Sequence, residues 1–325
     1  MNNLRLILGA AGALALGLAP TIATQAQDYP TRAVRVVVPY SPGGSTDILT
    51  RILSAKLTAR VGQTVVVDNR AGGNGIIGTE MVARAPADGY TLLMVTNGQT
   101  INVGLYANLP VDLERDLIPL VNVAAMPNLI VVHPSLPVKT LRSLIDLAKA
   151  RPGSINYSHA GIGSPQHLAG ELFKLVAKVD IVGVPYKGGG PAVADAIAGA
   201  VGMVVAGIPA VSQYIAAGRL RALAATSLKR SALLPDLPTV AENGYPGFDA
   251  IFWIALMAPR GVPAAIVQRL NADSNAVLRD PEIEKQFSLQ GASPVGGTPA
   301  ELGAYMRKDI ETWARVIKEA NIKAE

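Results

Sequence analysis

The segment VRVVVPYSPGGSTD, from Val34 to Asp47, constrains the fold more than any other stretch of the chain. Its β-branched run Val34 to Val38 reads as a buried strand ended by Pro39. The loop Tyr40-Ser41-Pro42-Gly43-Gly44-Ser45-Thr46-Asp47 then enters a helix with Ile48, Leu49, Ile52 and Leu53 on its apolar face. Two glycines ahead of a helix let backbone N–H groups turn outward, where they add to the positive end of the helix dipole. Such a loop at the carboxyl end of a strand is where open α/β sheets bind small anions. A plain strand–helix turn explains the same residues. The balance shifts because the chain repeats the pattern downstream.

Ahead of this unit, Met1 to Arg5 carry one positive charge, and Leu6 to Ala19 form an apolar core short for a bilayer. Small and polar residues follow, ending Thr24-Gln25-Ala26. This reads as a secretory signal over residues 1–26, cleaved after Ala26, with a retained anchor as the alternative. The chain has no cysteine, so neither a disulfide nor a lipid-anchoring cysteine is possible. Export to a periplasm is the expected localisation. The net charge of +5 has no basic run longer than Lys229-Arg230, which argues against nucleic acid as a partner. The length of 325 residues suggests two domains.

Strands at Thr64 to Asp68 and Tyr90 to Val95, with a helix from Gly75 to Ala85, continue the alternation and predict a mainly parallel sheet covered by helices. Thr96 to Asp116 is looser, with turn residues Asn97, Gly98, Asn102 and Asn108. Ile118 to Ala125 and Leu129 to Val132 read as a crossing segment interrupted at Pro127. A second alternating set follows Pro134. Leu233 to Phe248 is a Pro- and Gly-rich connector, and Ile251 to Ala258 a strand returning to the first lobe. The last of three closing helices opens with Thr298-Pro299-Ala300-Glu301, a capping box with proline at the first helical position. The expected architecture is α/β: two mainly parallel-sheet lobes joined by two crossings around a central cleft. Lobe 1 takes residues 27–125 and 246–325, and lobe 2 takes residues 126–245.

The second loop of interest, Tyr157-Ser158-His159-Ala160-Gly161-Ile162-Gly163-Ser164-Pro165, again joins a strand to a helix. Ser164 suits the N-cap and Pro165 the first helical position, leaving the N–H groups of Gln166 and His167 first in line. Val184 to Pro191, with Tyr186, Lys187 and three glycines, has the same form, and Ala206 to Pro209 repeats it more weakly. If the lobes face each other, these loops line a cleft with many N–H donors and few charged side chains, which suits a carboxylate. Asp47 either complements its helix dipole or meets a ligand ammonium or hydroxyl through water. Tyr40 and Tyr186 either close the cleft or pack half-buried.

Competing chemistry is weaker. Gly73 to Gly78 matches G-x-G-x-x-G, but four residues separate it from its strand and no acidic residue ends the next one. The histidines are His133, His159 and His167; His167 and Glu171 share a helix face, but no further His or Cys lies near to complete a metal site. Ser158-His159 invites a hydrolase reading without a G-x-S-x-G or an orienting carboxylate.

The stretches YPTRAVRVVVPYSPGGSTDILTRILSAKL, VVVDNRAGGNGIIGTEMVARAPADGYTLL, INYSHAGIGSPQHLAGELFK, VPYKGGGPAVADAIAG and LRALAATSLKRSALLPDLPTVAENGYPGF resemble the Bug (TctC) family, extracytoplasmic solute receptors of tripartite tricarboxylate transporters. The similarity covers nearly the whole mature chain. It implies a two-lobed periplasmic-binding-protein fold (type II) that closes on a small ligand, with carboxylate recognition largely by backbone N–H groups and ordered water. By motif position, Tyr40, Ser41, Pro42, Gly43, Gly44 and Asp47 fall in the first-lobe loop. Ser158, Ala160, Gly161, Gly163, Ser164 and His167 fall in the second-lobe loop, with Thr96, Asn97, Tyr186 and Lys187 at the rim. His159 stands where the family often has a smaller residue, which bears on ligand size or charge.

The leading expectation is a monomeric, non-catalytic receptor, with no cofactor or metal, that captures a small organic acid and hands it to membrane subunits of the transporter. A sensor that shows its closed form to a signalling partner fits the same residues. An enzyme, either a hydrolase using Ser158 and His159 or a dehydrogenase using Gly73 to Gly78, is the alternative from another class.

Overall fold

The computed structural model describes residues 29–319 and 322–324; the expected signal segment, residues 1–26, lies outside them. In the first alternating set, β1 (Val34–Val38) leads through α1 (Ser45–Val61), β2 (Val65–Asn69), a 3-10 turn at Gly73–Gly75 and α2 (Ile76–Ala83) to β3 (Thr91–Thr96). Helix α3 (Asn97–Leu105) and the single turn α4 (Leu113–Asp116) precede the long β4 (Leu117–Val132). The second set is α5 (Leu141–Ala150), β5 (Asn156–His159), α6 (Pro165–Ala177), β6 (Val182–Pro185), α7 (Gly189–Ala198), β7 (Met203–Gly207), α8 (Ile208–Ala216) and β8 (Arg221–Ala225). The chain returns through β9 (Ile251–Pro259) and ends with α9 (Ala264–Leu278), α10 (Pro281–Leu289), β10 (Ser293–Gly296) and α11 (Pro299–Glu319).

Both sheets are mixed. Strand β1 pairs parallel with β2 and β3, and β5 pairs parallel with β6 and β7, while β9 lies antiparallel to both β3 and β4, and β4 lies antiparallel to β7 and β8. The first sheet is ordered β2-β1-β3-β9-β4 with β10 beyond; the second is β6-β5-β7-β4-β8. Burial on both faces explains the unbroken apolar runs. Along β9, Phe252, Ile254 and Leu256 pack into one core layer, and Trp253, Ala255 and Met257 into the layer on the opposite face. In lobe 2, Ile130 and Val132 of β4 face one core layer and Leu129 and Val131 the other.

Strand β4 runs through Pro127 rather than stopping there. Residues up to Pro127 pair with β9, and Asn128 onward pairs with β7, so the proline falls where the ladder changes partner and costs little. Thr226, just past β8, ties the two crossings together. Its hydroxyl accepts from Asn128 N–H at 3.0 Å and donates to the Ala250 carbonyl at 2.8 Å, while Ala250 N–H returns to the Thr226 carbonyl. The stretch after β3 is helical where a looser path was expected. Thr96 N–H donates to Gln99 Oε1 and Gly98 N–H to Thr96 Oγ1, a capping arrangement that starts α3 with buried polar residues and so leaves no apolar periodicity to read. The capping box at Thr298 and Glu301 is formed as its sequence predicts. Trp313 and Ile317, late in α11, pack into the lobe 2 core, so the last helix spans both lobes.

Candidate functional site

Five helices begin at the cleft between the lobes: α1 and α3 from lobe 1, and α6, α7 and α8 from lobe 2. The β–loop–α connection makes this unavoidable, because each parallel strand delivers its loop and the next helix's N-terminus to the same sheet edge. At α1, Gly44 is the N-cap and offers no capping side chain; the first amide to find a helical acceptor is Ile48, at 3.0 Å from the Gly44 carbonyl. The N–H groups of Ser45, Thr46 and Asp47 therefore have no acceptor among the described residues, and all three residues line the cleft. At α6, Ser164 Oγ accepts from His167 N–H at 3.1 Å, while Gln166 N–H stays open beside Pro165.

The atom-free space here, solvent at its mouth included, is about 420 Å³. Asp47 is the one charged side chain in its lining. Its carboxylate is already committed: Gly43 N–H and Arg51 Nε donate to Oδ2 at 3.0 and 3.1 Å, and Asn69 Nδ2 donates to Oδ1 at 3.0 Å. Burial pushes its pKa up, but Arg51, the Gly43 amide and Asn69 outweigh that and hold it below the usual carboxylate range. Asp47 thus anchors the first loop, with Gly43 in a left-handed conformation (φ 81°). The field at the cleft is set by helix N-termini, each favouring an anion by about 0.3–1 kcal/mol, and up to about 2 where partly buried. The apolar part of the lining comes from Val205, Ala206 and Ala210 of lobe 2 and from Phe252 of lobe 1.

The lobes touch at the cleft rim, backbone against backbone. Ser41 Oγ donates to the Lys187 carbonyl at 2.8 Å, and Gly188 to Gly190 lie along Ser41 to Gly44. A Cβ on Gly190 would strike the Pro42 carbonyl oxygen, and one on Gly207 would crowd Ser45 Oγ.

Of the residues expected from sequence, Tyr40, Ser41, Gly44, Asp47, Thr96 and Ala160 line this space. Pro42 and Gly43 sit just outside it in the lobe contact. The hydroxyl of Tyr40 meets Thr96 Oγ1 at 3.1 Å, and Asn97 donates through Nδ2 to the Ile251 carbonyl. Lys187 contributes its carbonyl to Ser41 and leaves its side chain exposed, while the Tyr186 hydroxyl donates to Asp195 at 2.6 Å within lobe 2. Gly161, Gly163 and Ser164 form the turn that carries Ala160 and Pro165 into the cleft; Ser164 N–H donates to the Gly161 carbonyl. His159 and His167 lie beneath that turn, buried and stacked at 4.5 Å between ring centroids. Burial lowers both imidazole pKa values, His159 to about 3.

Ser158 and His159, as strand neighbours, point to opposite faces, and the Ser158 hydroxyl donates to the Ala192 carbonyl at 2.8 Å. That removes the nucleophile–base contact a hydrolase needs. The glycines of Gly73 to Gly78 serve packing, since a Cβ on Gly78 would press on Pro39.

Val205, Ala210 and Phe252 line the space without having been expected there, whereas Gly189 and Gly207 lie in loops expected at the cleft but were not singled out as site residues. Gly207 carried a signal, a glycine between strand and helix; Phe252 carried none, because its side chain reaches the cleft only through strand order. A larger open groove, with about 840 Å³ accessible to water, lies on lobe 1 beside α3, α4 and α11. It mixes Asp112, Glu114, Arg115 and Arg307 and lies away from the loops that join the lobes.

A family model described as tripartite tricarboxylate transporter family receptor (TctC) matches residues 49–322. Protein BugT of Bordetella pertussis is 41% identical over 300 residues, 92% of each chain. Among solved structures, Rpa4515 of Rhodopseudomonas palustris with adipate superposes with a TM-score of 0.89 at 39% identity, covering 91% of this chain and 99% of its own. MatC from the same organism, with bound malate, gives 0.84 at 30% identity, covering 89% and 100%.

Proposed function

The chain belongs to the TctC family of tripartite tricarboxylate transporter receptors, and from that premise we propose that it captures a small organic acid in the cleft and holds its carboxylate by main-chain N–H groups and water. The observation that carries this reading is the convergence of five helix N-termini on a space whose one charged side chain is already neutralised by its own neighbours. Backbone donors suit the task, because they bind an anion without burying an unpaired lysine or arginine. The apolar lining from Val205, Ala206, Ala210 and Phe252 takes the carbon skeleton. The acids bound by Rpa4515 and MatC, adipate and malate, support a carboxylate of similar size.

Capture is a hinge movement about the Asn128–Thr226–Ala250 junction, with ligand stabilising the closed form through contacts to both lobes. Residues 1–26 act as the export signal, cleaved after Ala26, and the loaded receptor delivers its acid to the membrane subunits of a tripartite transporter. A thermal-shift and calorimetric screen of the mature protein, stripped of carried-over ligand, against mono-, di- and tricarboxylates tests the proposal. An acid at about a hundred times its Kd adds roughly 2.7 kcal/mol of stability. No shift with any acid, on protein that unfolds cooperatively, would sink the carboxylate reading.

A further inference from the structure

The two binding loops are anchored alike but with different chemistry. In lobe 1, Gly43 (φ 81°) donates its N–H to the side chain four residues on, Asp47, at 3.0 Å. In lobe 2, Gly163 (φ 76°) donates its N–H to the side chain four residues on, His167, at 3.1 Å. Both acceptors stand in the first turn of the helix that the loop enters. One is an anion; the other is an imidazole nitrogen that accepts only while it carries no proton.

We infer that His167 is the positioning residue of the lobe 2 loop, and that protonating its imidazole releases the loop and weakens ligand capture. The second half of this inference rests on the carboxylate reading above; the first half does not.

The geometry leaves the added proton no good place. With Nδ1 accepting from Gly163, the ring's own proton sits on Nε2, which faces Glu171 Oε1 at 3.9 Å, beyond hydrogen-bond range. A second proton must go on Nδ1, where it would oppose the Gly163 N–H, donor against donor. The groups around the ring offer an imidazolium little help. On α6, Glu171 is shared between Lys174 Nζ at 2.9 Å and the Tyr157 hydroxyl at 2.8 Å, so its charge is already engaged and Lys174 adds a repulsive one. From β5, His159 stacks on the ring, and its own Nδ1 lies 3.0 Å from the Gly161 carbonyl. From lobe 1, the groups nearest the loop are the neutral Asn74 and Asn102. Burial and Lys174 lower the His167 pKa against the opposing pull of Glu171, in keeping with a ring built to stay neutral. Asp47, held below the usual carboxylate range, has no such donor-against-donor clash while it stays ionised.

The test pairs ligand-free NMR with binding. In the mature protein at falling pH, the Gly163 amide resonance should move with the His167 ring, and its hydrogen exchange should accelerate. His167→Asn places Oδ1 where Nδ1 stood and does not titrate, whereas His167→Leu removes the acceptor. With adipate as the probe, wild-type affinity should fall more steeply with acid than that of His167→Asn, the difference approaching about tenfold per pH unit below the ring's pKa. His167→Leu should bind weakly at every pH. A Gly163 amide indifferent to His167 titration, or equal pH slopes for wild type and His167→Asn, would overturn the inference. Failure of adipate to bind wild type at neutral pH counts against the carboxylate reading alone, since the amide titration is read without ligand.

Discussion

Gly190 and Pro42 face each other across the cleft so closely that a single methyl group on Gly190 would collide with the Pro42 carbonyl oxygen. Gly190 lies in the first turn of α7 without a positive φ, so within lobe 2 an alanine there is harmless and favours the helix by up to about 1 kcal/mol. Gly190→Ala should therefore leave the unfolding temperature equal or slightly raised while lowering ligand affinity at least about tenfold, because the methyl blocks closure. Calorimetry with an acid that binds wild type checks this; unchanged affinity would show that the lobes close along another path.

Ser41 reaches lobe 2 through the Lys187 carbonyl, not through the lysine side chain. Ser41→Ala should weaken binding by about 0.5–1.5 kcal/mol, a few-fold in Kd, as the closed form loses one hydrogen bond. Lys187→Ala should be close to neutral in the same titration. A large loss with Lys187→Ala would instead assign the ammonium to the ligand.

Asp47 holds Gly43, Arg51 and Asn69 at once. Asp47→Ala strands these donors and should cost about 1–3 kcal/mol of stability, together with most of the ligand affinity. The folded-state pKa of Asp47 is depressed, so its contribution is present above the ordinary carboxylate range and is lost as pH falls through the folded value. Urea unfolding of wild type and Asp47→Asn should therefore differ most near neutral pH and converge in acid.

Asp309 on α11 makes the opposite case. It is enclosed with Thr100 and Trp313, whose Nε1 donates to Oδ1 at 3.2 Å, and burial raises its pKa to about 6 against the pull of those hydrogen bonds. The Thr100 hydroxyl also lies 2.9 Å from the Asn97 carbonyl, and it can donate to only one of the two acceptors. A carboxylate with a raised folded-state pKa binds a proton more readily folded than unfolded, so wild type gains stability as pH falls from above about 6 toward about 4. Asp309→Asn should be the more stable form at neutral pH, by about 1–3 kcal/mol, and lose that advantage in acid. Chemical denaturation at the two pH values reads it directly.

Much of the molecule is written locally. Strand Val34 to Val38, the Gly43-Gly44 loop, the Ser164-Pro165 cap and the Thr298 capping box are visible because their causes lie within four or five residues: β-branching, glycine at a turn, a side chain reaching the next helical amides. That several helix N-termini would gather at one edge also follows from strand–helix alternation alone. What the sequence could not decide is which residues meet across long separations. Phe252 reaches the cleft because β9 inserts between β3 and β4, and Gly207 faces Ser45 because the two lobes bring β7 and α1 together. His159 and His167, marked in the sequence as ligand-facing, stack beneath the loop because β5 turns alternate side chains to opposite faces and α6 brings His167 over the inner one. Local spacing determined the donors and their caps; tertiary packing determined what each polar side chain is left to hold, because a buried group takes whichever partner the fold brings within about 3 Å.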